Sequence, residues 1–122
     1  MRLRFVTLGA ALVAAIGAVS TFAATRPPAR VQVTATEFNF GLSRTRVTSG
    51  PLIMQLLNLG EDPHDLVLRR DARRARTFRI RKLAPDEFAD LGLRLGPGRY
   101  RLWCSLGDHR QRGMEATLTV RP

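Results

Sequence analysis

The chain has 122 residues, a formal charge of +10, two histidines and one cysteine. That length holds one domain, or one domain behind a targeting segment, and leaves no room for a second. A lone cysteine excludes an internal disulfide, and with it a disulfide-stapled scaffold or a Cys-x-x-Cys motif.

Met1 to Arg4 is short and positive, and Phe5 to Val19 is an unbroken run of apolar and small residues. Cleavage points follow at Ser20 and Ala23, so residues 1–23 are expected to be a secretory signal peptide. The run is short for a stable membrane span; the alternative is an uncleaved N-terminal anchor. No Arg-Arg pair precedes the run, which implies general export to the periplasm or another extracytoplasmic part of the cell envelope. Residues 24–29 form a linker in which Pro27 and Pro28 forbid a helix, and residues 30–122 form the folded domain. Without Arg2 and Arg4 the exported chain keeps a charge of +8.

From Val31 on, the pattern is period-two alternation cut by turn residues, which predicts strands. "RVQVTATEFNF" places Val31, Val33 and Ala35 on one face. "TRVTSG" ends in a Ser49-Gly50-Pro51 turn, and "PLIMQLLNLG" is a buried strand with Met54 in the core. "HDLVLRR" is a short strand after "NLGEDP". "TFRIRKL" alternates imperfectly through Phe78, Ile80 and Leu83. "FADLGLRL" puts Phe88, Leu91, Leu93 and Leu95 mostly on one face. "GPGRYRLWC" turns, then sets Tyr100, Leu102 and Cys104 against Arg99, Arg101 and Trp103. "MEATLTV" closes the domain through Ala116, Leu118 and Val120. Seven or eight short strands predict an all-β, antiparallel two-sheet sandwich, with a single helical turn as an option at Arg69 to Arg76.

Arg69 to Lys82 carries eight basic residues and one acid, a net +7. A solvated face competes here with a docking surface for an acidic partner or for an anionic membrane or wall polymer. Nucleic acid is not an expected partner, because the chain is exported and only Phe78 interleaves the segment for base stacking.

A free thiol in an oxidising compartment is exposed to oxidation unless it is buried or occupied. Cys104 points inward at a strand end; His109 follows five residues later, and Met114 five after that. Gly107 and Gly113 give the loop between them the freedom to turn these donors toward one centre. His64 opens a strand, and it joins the same end of the sandwich if that strand lies beside the cysteine strand. Singly, each residue reads as core filler or surface. Together, two imidazoles, a thiolate and a thioether are the donor set of a mononuclear type 1 (blue) copper centre, with methionine as the long axial ligand. Zinc competes for such a site, but structural zinc favours more thiolates than one cysteine supplies.

The segment "GPGRYRLWCSLGDHRQRGMEATLTV", with Cys-x4-His-x4-Met before a last strand, resembles the cupredoxins, the plastocyanin- and azurin-like small blue copper proteins. "NLGEDPHDLVL" is similar to the segment that supplies their first histidine. The resemblance covers Val31 to Val120. It implies a Greek-key β-sandwich, one copper ion held by His64, Cys104, His109 and Met114, and a brace between the ligand loops from Asp65 and Ser105. Asp108 and Glu115-Ala116 depart from the family pattern and alter the charge of the loop. A binuclear copper centre needs a second cysteine in this loop and is excluded.

The resulting expectation is a monomeric, exported electron carrier that exchanges electrons through His109 with a redox protein partner expected to be acidic. Pro63 and Leu106 are candidates for an apolar docking collar. The alternative is a copper-handling protein for storage, delivery or sensing, and a third reading is a binding module on an anionic surface. With no open coordination position and no acid/base pair evident, a stand-alone enzyme is not expected.

Overall fold

The computed structural model describes residues 25–122; the expected signal segment lies outside them. Nine strands follow one another: β1 (Ala29–Thr36), β2 (Asn39–Leu42), β3 (Arg46–Thr48), β4 (Gly50–Asn58), β5 (His64–Arg70), β6 (Thr77–Leu83), β7 (Phe88–Leu95), β8 (Gly98–Trp103) and β9 (Glu115–Arg121). One sheet has the order β2-β1-β4-β7 and the other β3-β9-β8-β5-β6. The chain crosses repeatedly between them, giving the expected all-β Greek-key sandwich.

The sheets are mixed rather than purely antiparallel, because β1 pairs with β4 in parallel and so does β3 with β9. No hairpin dictates either pairing. The intervening strands carry the chain back to its starting end, which is what a parallel neighbour requires. The run read as one strand from Val31 to Phe40 is two, folded at Glu37-Phe38 into a β1–β2 hairpin in which Thr36 pairs with Asn39. Arg69 and Arg70 finish β5, and residues 71–76 form bends and a turn instead of a helical turn, with Arg74 at φ 55°.

Alternation sends Val31, Val33 and Ala35 inward against Leu66, Leu68, Leu102 and Leu118, all buried, and Met54 is fully buried among them. Each of these Val, Leu and Met side chains contributes about 1.5–3 kcal/mol by leaving water. In β7 the inward face is Ala89, Leu91, Leu93 and Leu95, so Phe88 falls on the other face and is 62% exposed. The imperfect alternation of β6 is a bulge. His64 pairs with Leu83 but Leu66 pairs with Ile80, so β6 carries an extra residue there. The bulge lets both Ile80 and Leu83 reach the core. β6 is an edge strand, and its exposed Arg79, Arg81 and Lys82 discourage pairing with another chain.

Candidate metal centre

β5 and β8 are antiparallel neighbours, with Val67 opposite Trp103. The start of one and the end of the other therefore meet at the same end of the sandwich. This brings His64, at the first position of β5, to Cys104, just past the last position of β8. The segment from Ser105 to Gly113 leaves the sheet in consecutive turns, with Gly107 at φ 49° and Gly113 at φ 111°. Those conformations return His109 over the cysteine. The His109 amide donates to the Leu106 carbonyl at 3.1 Å, and the Met114 amide donates to the His109 carbonyl at 3.1 Å. The Cys104 amide donates to the Met114 carbonyl at 3.2 Å, closing the loop on itself.

One donor atom from each of His64, Cys104 and His109 lies within 4.8 Å of the other two. Cys104 Sγ is 3.6 Å from His109 Nδ1, and the two imidazole centroids are 5.1 Å apart. His64 and Cys104 are fully buried, while His109 is partly exposed. His64 Nδ1 is a buried polar atom with no hydrogen-bond partner in the protein. Such an orphan is costly in a finished core, and it leaves a lone pair free to bind a metal. The three donors fit a single copper ion. Met114 is also fully buried and follows the loop directly.

The opposite ring nitrogen, His64 Nε2, lies 3.4 Å from Glu37 Oε1. The same oxygen accepts the amides of Glu61 at 2.6 Å and Asp62 at 2.8 Å. A proton on Nε2 directed at this carboxylate leaves the Nδ1 lone pair free for a metal. The Asp62 amide leads in holding the Glu37 carboxyl below its usual range. Burial pushes the His64 imidazole down, keeping it neutral, and pushes the Cys104 thiol up.

The loop between β4 and β5 is held by Asn58, a fully buried polar residue. Its side-chain amide donates to the carbonyls of Asp62 at 2.8 Å and Leu83 at 3.1 Å, and its oxygen accepts the Gly60 amide at 2.9 Å. Gly60 permits the close approach, since a Cβ there would sit 2.4 Å from Glu37 Oε1 and 3.0 Å from His64 Nε2. Asp65, next to the first histidine, accepts the Ser105 amide at 2.6 Å and also the Ser105 hydroxyl. Phe38 packs edge-on to His109 at 5.0 Å, and the Arg112 guanidinium lies over Phe38 at 4.5 Å.

The structure thus brings together His64, Cys104 and His109, sets Met114 beside them in the chain, and joins Asp65 to Ser105. Sequence reasoning missed Glu37, Asn58 and Phe38. Glu37-Phe38 was readable only as a break in alternation, since Val31, Val33 and Ala35 share one parity and Phe38 and Phe40 the other.

No protein-family model and no curated protein sequence matches the chain. Solved structures do resemble it. The dithionite-reduced auracyanin of the photosynthetic bacterium Roseiflexus castenholzii superposes with a TM-score of 0.64 at 15% identity, over 80% of this chain and 100% of that one. Auracyanin A, a "blue" copper protein of Chloroflexus aurantiacus, gives 0.62 at 12% identity over 78% and 100%. Amicyanin from Paracoccus versutus gives 0.54 at 18% identity over 80% and 87%. The described domain has the cupredoxin fold, the fold of the small blue copper proteins.

Proposed function

We propose that the protein is an exported type 1 copper protein that carries electrons, with His64, Cys104, His109 and Met114 as its ligands. The orphaned, buried His64 Nδ1, facing one thiolate and one further imidazole, carries this reading. Copper bound there supplies a one-electron couple between Cu(II) and Cu(I). The chain's own residues hold the donors in a fixed arrangement. Glu37 orients one imidazole, the Asp65–Ser105 pair clamps the cysteine loop to β5, and the sandwich buries two of the three donors. A scaffold of this stiffness keeps reorganisation small when the charge changes.

His109 is the one partly exposed donor in the cluster and is the exchange point of this reading. The large apolar side chains exposed among the described residues are Leu59 and Phe88, and both lie toward the same end of the sandwich. With exposed Pro63 and half-buried Leu106, they offer a partner a weak apolar contact. The acidic character expected of that partner rested on Arg69–Lys82. Most of that segment stands away from His109: Arg70 is six residues along β5 from His64, about 20 Å at the rise of a strand. The remote part of that charge lends no support to an acidic partner at His109.

Stopped-flow oxidation of the Cu(I) form by a small redox protein tests the carrier. Rapid second-order transfer with the metal retained supports it. Transfer of the ion itself to an acceptor, with no electron exchange, would favour the copper-delivery reading.

A further inference from the structure

Charge is divided between the two ends of the sandwich. Of the ten acidic residues in the chain, Asp71 alone stands at the end remote from His64. The others occupy the metal-proximal half, where several are paired with local arginines. Arg81 meets Glu87 at 3.3 Å, Arg110 meets Glu115 at 3.0 Å and Arg112 meets Asp108 at 3.0 Å. Apart from Asp71, the charged side chains of the remote end are arginines. Arg26, Arg46 and Arg121 surround one depression, where Thr48 pairs with Arg121. Arg70, Arg73, Arg74, Arg76 and Arg94 surround a second beside it on the β5–β6 turn. Asp71 is the single acidic side chain there, and it reaches Arg101 at 3.8 Å.

The chain also enters the fold at this end. Thr25 and Arg26 lead into β1, whose first residue Ala29 pairs with Leu52 near the start of β4. The apolar run Phe5 to Val19 is joined to the domain a short way upstream of that point.

We propose that the arginine pole is a surface for the anionic headgroups of a lipid bilayer, and that it seats the domain with His109 turned away from the membrane. Two independent features agree on the bilayer: unpaired positive charge gathered on one pole, and the apolar run that the uncleaved chain carries at that same pole. A soluble acidic protein would account for the charge alone. Guanidinium groups suit phosphate because they donate paired hydrogen bonds and remain charged at every physiological pH. Each such residue held at an anionic surface contributes about fivefold in binding, and the attraction fades beyond a Debye length. The surface works with or without bound metal, so it stands apart from the copper reading.

The test is co-sedimentation of the full chain with vesicles of phosphatidylcholine, alone or mixed with phosphatidylglycerol, at low and high salt. Any insertion of the apolar run is common to all variants and appears with phosphatidylcholine alone. Wild type should bind the mixed vesicles far better than the neutral ones, and high salt should remove the difference. Arg46→Gln, Arg73→Gln, Arg94→Gln and Arg121→Gln combined should lower that difference several hundredfold, about fivefold for each residue. Arg81→Gln with Lys82→Gln, at the metal-proximal end of β6, should leave it within about twofold. Thermal melts confirm that each variant is folded. Equal losses from both variants, or equal wild-type binding to both vesicle types, would overturn the proposal. So would binding to soluble polyphosphate as tight as to the mixed vesicles, which would assign the pole to a free polyanion.

Discussion

Glu37 Oε1 stands 3.4 Å from His64 Nε2 while accepting two amides of the β4–β5 loop. One carboxylate oxygen thus ties the β1–β2 turn to the loop that delivers the first histidine. Removing it in Glu37→Ala strips the acceptor from the ring and from both amides. Copper affinity, measured by chelator competition, should fall about 10–100-fold. Glu37→Gln keeps a carbonyl acceptor and should recover most of that loss.

Asp65 and Ser105 are forty residues apart in sequence and joined by two hydrogen bonds. Asp65→Ala breaks both and frees the cysteine loop from β5. It should weaken copper binding about 10–100-fold and shift the optical spectrum. Ser105→Ala retains the bond from the backbone amide and should do less on both counts. An unchanged spectrum and melting curve for copper-loaded Asp65→Ala would remove the brace.

Met114 is buried at the end of the ligand loop. A thioether at a long axial distance tunes a copper site more than it holds it. Met114→Leu should therefore retain copper and show a higher reduction potential by voltammetry, having lost a donor that favours Cu(II). Failure of this variant to bind copper would make Met114 a primary ligand.

Burial favours the neutral forms of both His64 and Cys104 in the metal-free protein. As pH falls through about 6.5, the unfolded chain protonates at His64 before the folded protein does, so stability is lost. As pH rises through about 8.5, the unfolded chain sheds the thiol proton first, and stability is lost again. Urea midpoints of the metal-free protein should accordingly peak between those values. Copper must displace the Cys104 proton, so affinity should rise about tenfold per pH unit between about pH 7 and 8. Cys104→Ser should abolish that slope.

Much of this site could be read from spacing. Tyr100, Leu102 and Cys104 share a face because strands alternate, and Cys104, His109 and Met114 are separated by one loop with glycines at its turns. His64 was legible as the start of a strand, but its meeting with Cys104 depended on β5 lying beside β8. That adjacency is a property of strand order, which periodicity does not encode. Glu37 was hidden for a related reason. An acid in a turn resembles any solvated residue, and its partner His64 lies twenty-seven positions away. Phe88 was placed inward by hydrophobicity alone, whereas the parity of Leu91, Leu93 and Leu95 excludes it. The arginine segment showed its charge but not its location. Only the folded topology sets its first part, Arg69 to Arg76, opposite His109 and unites it with Arg26, Arg46 and Arg121.

The central claim is a copper ion bound by the Cys104 thiolate together with the two imidazoles, and the optical and EPR spectra of the copper-loaded protein test it most directly. The wild type should show an intense visible band from thiolate-to-copper charge transfer and an EPR signal with unusually small copper hyperfine splitting. Cys104→Ala should lose the band. A pale wild-type protein with the ordinary signal of tetragonal Cu(II) would contradict the assignment.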